Sequence, residues 1–129
     1  MFSSLSKTSL VKAALFKNTP IYVQFYVTAR CNLTCQQCNI IYANSDVREC
    51  TIDEVKRIAD NLSALGVAMV LLTGGEPFVR RDLPRIIQAF ESRGVHVRMQ
   101  TNGLASMEQI QQAVEAGGEA LEGFTRQAE

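Results

Sequence analysis

From Ile21 onward the chain alternates strand-like and helix-like stretches, and that alternation limits its fold more than any other feature. Strands that feed helices, which feed further strands, build a parallel sheet covered by helices. IYVQFYV (21–27) is rich in β-branched and aromatic residues and reads as the first strand. Residues 51–65 place Ile52, Val55, Ile58, Ala59, Leu62 and Leu65 at helical spacing, with Thr51 and Glu54 as a capping box and Gly66 as the stop. VAMVLLT (67–73) is continuously apolar, the pattern of a strand buried on both faces. Asp82 is placed to cap a second helix running to about Arg93, with Pro84 in a first turn that needs no donor. VHVRMQ (95–100) alternates, so Val95, Val97 and Met99 share one face and His96, Arg98 and Gln100 the other, which in a curved sheet lines a cavity. Ser106 with Gln109 forms a capping box for a third helix ending near Gly117.

The result is an α/β chain of about three βα units. Right-handed crossovers put all three loops that follow the strands at one edge of the sheet, where ligands of such sheets bind. Those loops carry three cysteines, Gly74-Gly75-Glu76-Pro77, and Thr101-Asn102-Gly103. With 129 residues, one core is expected. Ahead of it, residues 1–19 read as an amphipathic helix with Leu10, Val11, Ala14 and Leu15 on one face. The same stretch is Ser- and Lys-rich and acid-free, a faint likeness to a transit peptide, but it lacks arginine.

The 13 basic and 13 acidic side chains cancel, which gives no sign of a nucleic-acid partner. The charges are uneven, however: residues 1–45 carry Lys7, Lys12, Lys17 and Arg30 and no acid. No apolar run approaches the roughly 20 residues of a membrane span, and no secretory signal is present, so a cytoplasmic location is expected.

Cys31, Cys35 and Cys38 give the spacing C-x3-C-x2-C. A short loop can turn three such thiolates toward one inorganic centre. Iron-sulfur cubanes normally take four thiolates, so three leave one iron open to an outside ligand. Zinc held by Cys31, Cys35, Cys38 and Cys50 is an alternative, although zinc sites usually pair their cysteines in two short knuckles and Cys50 has no such neighbour. Disulfides suit such close packing less well. Cys50 otherwise reads as a partly buried thiol where a helix starts.

With GGEP after the second strand and TNG after the third, this cysteine loop resembles the signature of the radical S-adenosylmethionine superfamily. The likeness covers residues 20–117 and implies a partial (βα) barrel, the N-terminal half of that family's core. It implies that Cys31, Cys35 and Cys38 ligate three irons of a 4Fe-4S cluster, while the methionyl amine and carboxylate of S-adenosylmethionine chelate the fourth. Gly74, Gly75, Glu76 and Pro77 would then meet the methionyl amine, the glycines by close backbone approach and Glu76 through its carboxylate. Asn102 would support the same site. A one-electron donor of flavodoxin or ferredoxin type would reduce the cluster, and the resulting 5′-deoxyadenosyl radical would act on a substrate the sequence does not identify. Positive charge at Arg30 would favour the added electron. His96 reads as a strand-surface residue, not a base. The competing function is a non-catalytic metal module, with structural zinc or an electron-carrying cluster.

The chain departs from the family pattern in two ways. Gln37 stands where an aromatic residue is common, and about three βα units stand where six are usual. Residues 118–129, GEALEGFTRQAE, are polar and poor in β-branched residues, so no fourth strand is expected there. A gene fragment or a reading-frame break near Gly117 would each account for that ending. The third strand would then be an unpaired edge, inviting dimerisation or poor solubility.

Overall fold

The computed structural model describes residues 20–31 and 48–117, the backbone of 119–122, and the isolated helical positions Thr8, Val11 and Leu15. The expected helix over 1–19 otherwise lies outside the described residues. Four parallel strands lie in the order β1-β2-β3-β4: β1 (Tyr22–Thr28), β2 (Met69–Gly74), β3 (His96–Thr101) and β4 (Glu119–Glu122). Helices α1 (Ile52–Ala64), α2 (Leu83–Glu91) and α3 (Met107–Glu115) connect them. α2 packs between α1 and α3 and against β3.

Both expected capping boxes form. Thr51 and Glu54 exchange hydrogen bonds at the start of α1, and Ser106 and Gln109 do so at α3. Asp82 occupies the N-cap position of α2 with Pro84 in the first turn, but its backbone (φ −92°, ψ 10°) is not in the extended region of a bonding N-cap, and its carboxylate turns to Arg80 instead.

The core lies between the sheet and the helices. Val27, Val70, Leu72, Val97 and Met99 from the strands meet Val55, Ala59, Ile86, Ile87 and Phe90 from the helices, all at most 2% exposed. Phe25 packs edge-on to Phe90 with ring centres 6.1 Å apart. No helix of the described residues covers the opposite face of the sheet. Tyr22 and Tyr26 of β1 are 45% and 51% exposed, Gln24 and Gln100 are exposed, and Met69, Leu71, His96 and Arg98 are half-buried. The alternation expected for residues 95–100 therefore holds, whereas β2 is fully buried on one face only, because no helix of the described residues covers the other.

The expectation of no fourth strand is corrected. The backbone of 119–122 pairs in parallel with β3, from Arg98↔Glu119 to Thr101↔Glu122. Ladder bonds come from main-chain groups that every non-proline residue carries, so tertiary pairing overrides a weak side-chain propensity. The expected unpaired edge at β3 is thus occupied.

Candidate metal centre and its supporting loops

Because the strands are parallel, the segments after β1, β2 and β3 leave the sheet at the same edge. Cys31, half-buried, follows β1 by three residues. Cys35, Cys38 and Gln37 lie outside the described residues, so the structure places one of the three expected ligands. Beyond β2 the main chain keeps pairing: the Gly75 N–H donates to the Thr28 carbonyl at 3.0 Å, and the Glu76 N–H to the Arg30 carbonyl at 2.8 Å. This contact explains the glycine pair. A Cβ on Gly75 would stand 2.0 Å from the Arg30 carbonyl oxygen and 3.0 Å from Cys31 Cβ. One on Gly74, whose φ is +143°, would stand 2.2 Å from the Thr28 oxygen. Glycine here lets the GGEP loop lie directly against the start of the cysteine loop.

Glu76 is 1% exposed. Its Oε1 accepts from the Phe78 N–H at 3.1 Å and from Thr101 Oγ1 at 2.8 Å, and its Oε2 from the Asn102 N–H at 2.7 Å. A carboxylate offers about four lone-pair positions, so these three bonds leave roughly one for another donor. The residue that the sequence suggested as an ammonium partner thus also joins the second loop to the third. Pro77, buried, opens a short 3-10 turn, Pro77–Val79, whose Phe78 carbonyl accepts from Gln109 Nε2 at 3.2 Å. Asn102 turns its Oδ1 to the Leu104 N–H at 3.1 Å, an Asx-type turn that steadies TNG.

The two ends of the cysteine loop are fastened together chiefly by Glu49 and Arg80, which sequence reasoning did not single out. Glu49 accepts from Thr28 Oγ1, from Arg30 Nε at 2.7 Å and from Arg30 Nη2 at 3.1 Å. Thr28 Oγ1 in turn accepts from the Arg30 N–H at 3.0 Å. Arg80, buried on the neighbouring loop, donates to the Val27 carbonyl and the Cys50 carbonyl, each at 2.9 Å, and holds Asp82 through two bonds at 2.9 and 2.7 Å. Its Nε also lies 4.0 Å from Glu49 Oε2. Burial pushes the Glu49 carboxyl up, but hydrogen bonds from Arg30 and Thr28 and the charges of Arg30 and Arg80 outweigh it and leave it below its ordinary value. Asp82 is held down chiefly by its hydrogen bonds from Arg80. For Arg80 the one signal in the sequence was an arginine two residues before a helix-capping aspartate. Glu49 had no local signal, because its partners lie 19 and 21 residues away.

Cys50 is half-buried and packs against the hydrophobic core. That placement suits a structural thiol better than a fourth zinc ligand. Among the described residues no three His, Cys, Asp or Glu side chains gather as a metal site. His96 lies on the sheet face opposite the helices with Nδ1 3.8 Å from Glu91 Oε1. No helix of the described residues is long and apolar enough to cross a membrane.

Comparison with known proteins bears on this arrangement. The family model for the Radical SAM superfamily matches residues 25–123. A GTP 3′,8-cyclase of Tolumonas auensis is 38% identical over 104 residues, 78% of this chain and 31% of the cyclase. The PqqA peptide cyclase of Bradyrhizobium diazoefficiens is 31% identical over 100 residues, covering 76% of this chain and 26% of that protein. Streptococcus suis SuiB bound to S-adenosylmethionine superposes with a TM-score of 0.72 at 18% identity, over 90% of this chain and 28% of SuiB. The chain spans about a third or less of these proteins, and the shared fold is the first part of a (βα) barrel.

Proposed function

This chain belongs to the radical S-adenosylmethionine superfamily, and from that premise we propose that it supplies the cluster-binding part of an enzyme that reductively cleaves S-adenosylmethionine. Cys31, Cys35 and Cys38 would hold a 4Fe-4S cluster with one iron left to the methionyl group. When bound, that pair of cofactors supplies a one-electron cleavage of the sulfonium and hence a carbon radical for hydrogen abstraction.

The chain's own residues hold and enclose. Main-chain bonds to the GGEP loop fix Thr28 and Arg30, the residue before Cys31. Glu76 ties that loop to Thr101 and Asn102 and keeps one acceptor position for a methionyl ammonium. Placing this charge on a fixed, buried carboxylate orients the ligand without reorganisation at the moment of reaction. Among the described residues, Tyr26 and Gln100 lie exposed on the sheet face opposite the helices near the carboxyl edge, and that surface would take adenosine and substrate. A flavodoxin- or ferredoxin-like donor would provide the electron.

The observation that carries this reading is the backbone contact that sets Cys31 against Gly75. A close-walled cradle beside Cys31 suits a cluster, and the packing of Cys50 against the core supports three ligands rather than four. Anaerobic reconstitution with iron and sulfide should give a brown protein with a broad absorbance near the visible blue. Dithionite and S-adenosylmethionine should then release 5′-deoxyadenosine. Cys31→Ala should abolish the colour, and Cys50→Ala should keep it. A colourless protein that retains one tightly held zinc, lost in Cys50→Ala, would overturn the proposal in favour of a closed four-thiolate site.

A further inference from the structure

The network at the neck of the cysteine loop does more than the fold requires. Arg30 is held at three points: its N–H by Thr28 Oγ1, its carbonyl by the Glu76 N–H, and its guanidinium by both oxygens of Glu49. The next residue is Cys31. On the returning side Arg80 fixes the carbonyl of Cys50, and Glu49 directly precedes Cys50. The two chain ends that carry residues 32–48 between them are therefore locked to each other and to the first turn of α2. An exposed ion pair would add little to stability, and the Arg30 side chain is 51% exposed. Its geometry is nevertheless specific: a two-pronged guanidinium-carboxylate contact, with a threonine hydroxyl on the same carboxylate.

We propose that Glu49 is a positioning residue for the cluster. Resting on the cofactor reading given above, Glu49 locks the neck of the cysteine loop and, through Arg30, sets the charge beside the first iron ligand. Two consequences differ in kind. Closing the neck lowers the ordering cost of bringing three thiolates to one centre, so opening it speeds loss of iron. Balancing Arg30 and Arg80 with a carboxylate holds the cluster's reduction potential down, so the two partners act on the potential with opposite sign.

The test uses the full 129-residue chain, reconstituted without oxygen, with Glu49→Gln and Arg30→Gln as the variants and Arg48→Gln as the control. Arg48 adjoins Glu49 in the chain, but its guanidinium turns to Glu54 at the start of α1, so its loss removes a cation beside the neck without removing a bond to Glu49 or Arg30. Iron release to a chelator should be about tenfold faster in both neck variants, the scale seen when groups behind metal ligands are removed, and unchanged in the control. The midpoint potential of the cluster should move upward in Glu49→Gln and downward in Arg30→Gln. Thermal melting of the metal-free proteins separates this from simple unfolding, since Glu49→Gln keeps the size and one acceptor oxygen of the native side chain. Potentials that shift in the same direction in both neck variants, or iron release equal to that of Arg48→Gln, would overturn the assignment. A parent protein that takes up no iron would instead overturn the cofactor reading itself.

Discussion

Gly75→Ala tests the contact on which the site is built. The alanine Cβ would lie 2.0 Å from the Arg30 oxygen and 2.5 Å from the Arg30 carbonyl carbon. Carbon and carbonyl oxygen rest no closer than about 3.3 Å, so the two loops must part by roughly 1.3 Å. The backbone is not in the left-handed region at Gly75, so the effect is purely steric. Parting by that much breaks the bonds from Gly75 to Thr28 and from Glu76 to Arg30, now 3.0 and 2.8 Å. Two lost bonds at about 0.5–1.5 kcal/mol each, with about 1–3 kcal/mol of residual overpacking, give about 2–6 kcal/mol. A domain of this kind is stable by only about 5–15 kcal/mol, and at a urea slope of about 2 kcal/mol per M the midpoint of the metal-free protein should fall by roughly 1–3 M. The same variant should take up little iron, because Cys31 moves with Arg30. A Gly75→Ala protein with the parent's urea midpoint and full iron content would refute the steric argument.

Arg80→Met removes the donor to the Val27 and Cys50 carbonyls and leaves Asp82 without its cation, so it should cost about 3–5 kcal/mol, read from the shift of the urea midpoint. Glu76→Gln would turn an amide donor toward either Thr101 and Phe78 or the Asn102 N–H, and should cost about 2 kcal/mol in chemical unfolding while weakening S-adenosylmethionine binding. Acid should destabilise the fold over a defined window. Glu54, hydrogen-bonded chiefly by Arg48, has a pKa lowered from 4.5 to about 2, and Glu49 and Asp82 are also held low. A carboxylate with a lower pKa in the folded state stabilises it above the unfolded value and loses that contribution as pH falls through the folded one. Thermal midpoints should therefore be level above about pH 5 and drop steadily toward pH 2, with a shallower drop in Glu54→Gln; an unaltered slope in that variant would exclude Glu54 as a contributor.

Much of the architecture was legible because it depends on near neighbours. Capping boxes join residues three apart, and the 3.6- and 2-residue periods report which side of an element meets the core, so α1, α3 and β3 could be read directly. Thr51, Ser106 and the buried set Val95, Val97 and Met99 are where the sequence pointed. Asp82 stands at the N-cap as expected, but no local rule could show that its carboxylate goes to Arg80, which carbonyls 30 and 53 residues away in sequence hold in place. The half-burial of one face of β2 was missed for a related reason: a continuous apolar run states that residues avoid water, not which neighbour covers them.

The sequence by itself determined the order of the first three strands and their helices, the edge where the three loops emerge, and the motif that identifies the family; the fourth strand came only from tertiary pairing with β3. The tertiary structure alone decided what the glycines and charged side chains of those loops do. Gly74 and Gly75 make room for the Thr28 and Arg30 carbonyls, Glu76 spans two loops, and Glu49 with Arg80 closes a third. Each of these contacts joins segments separated by 19 to 53 residues, so its energy depends on distances that no local pattern encodes.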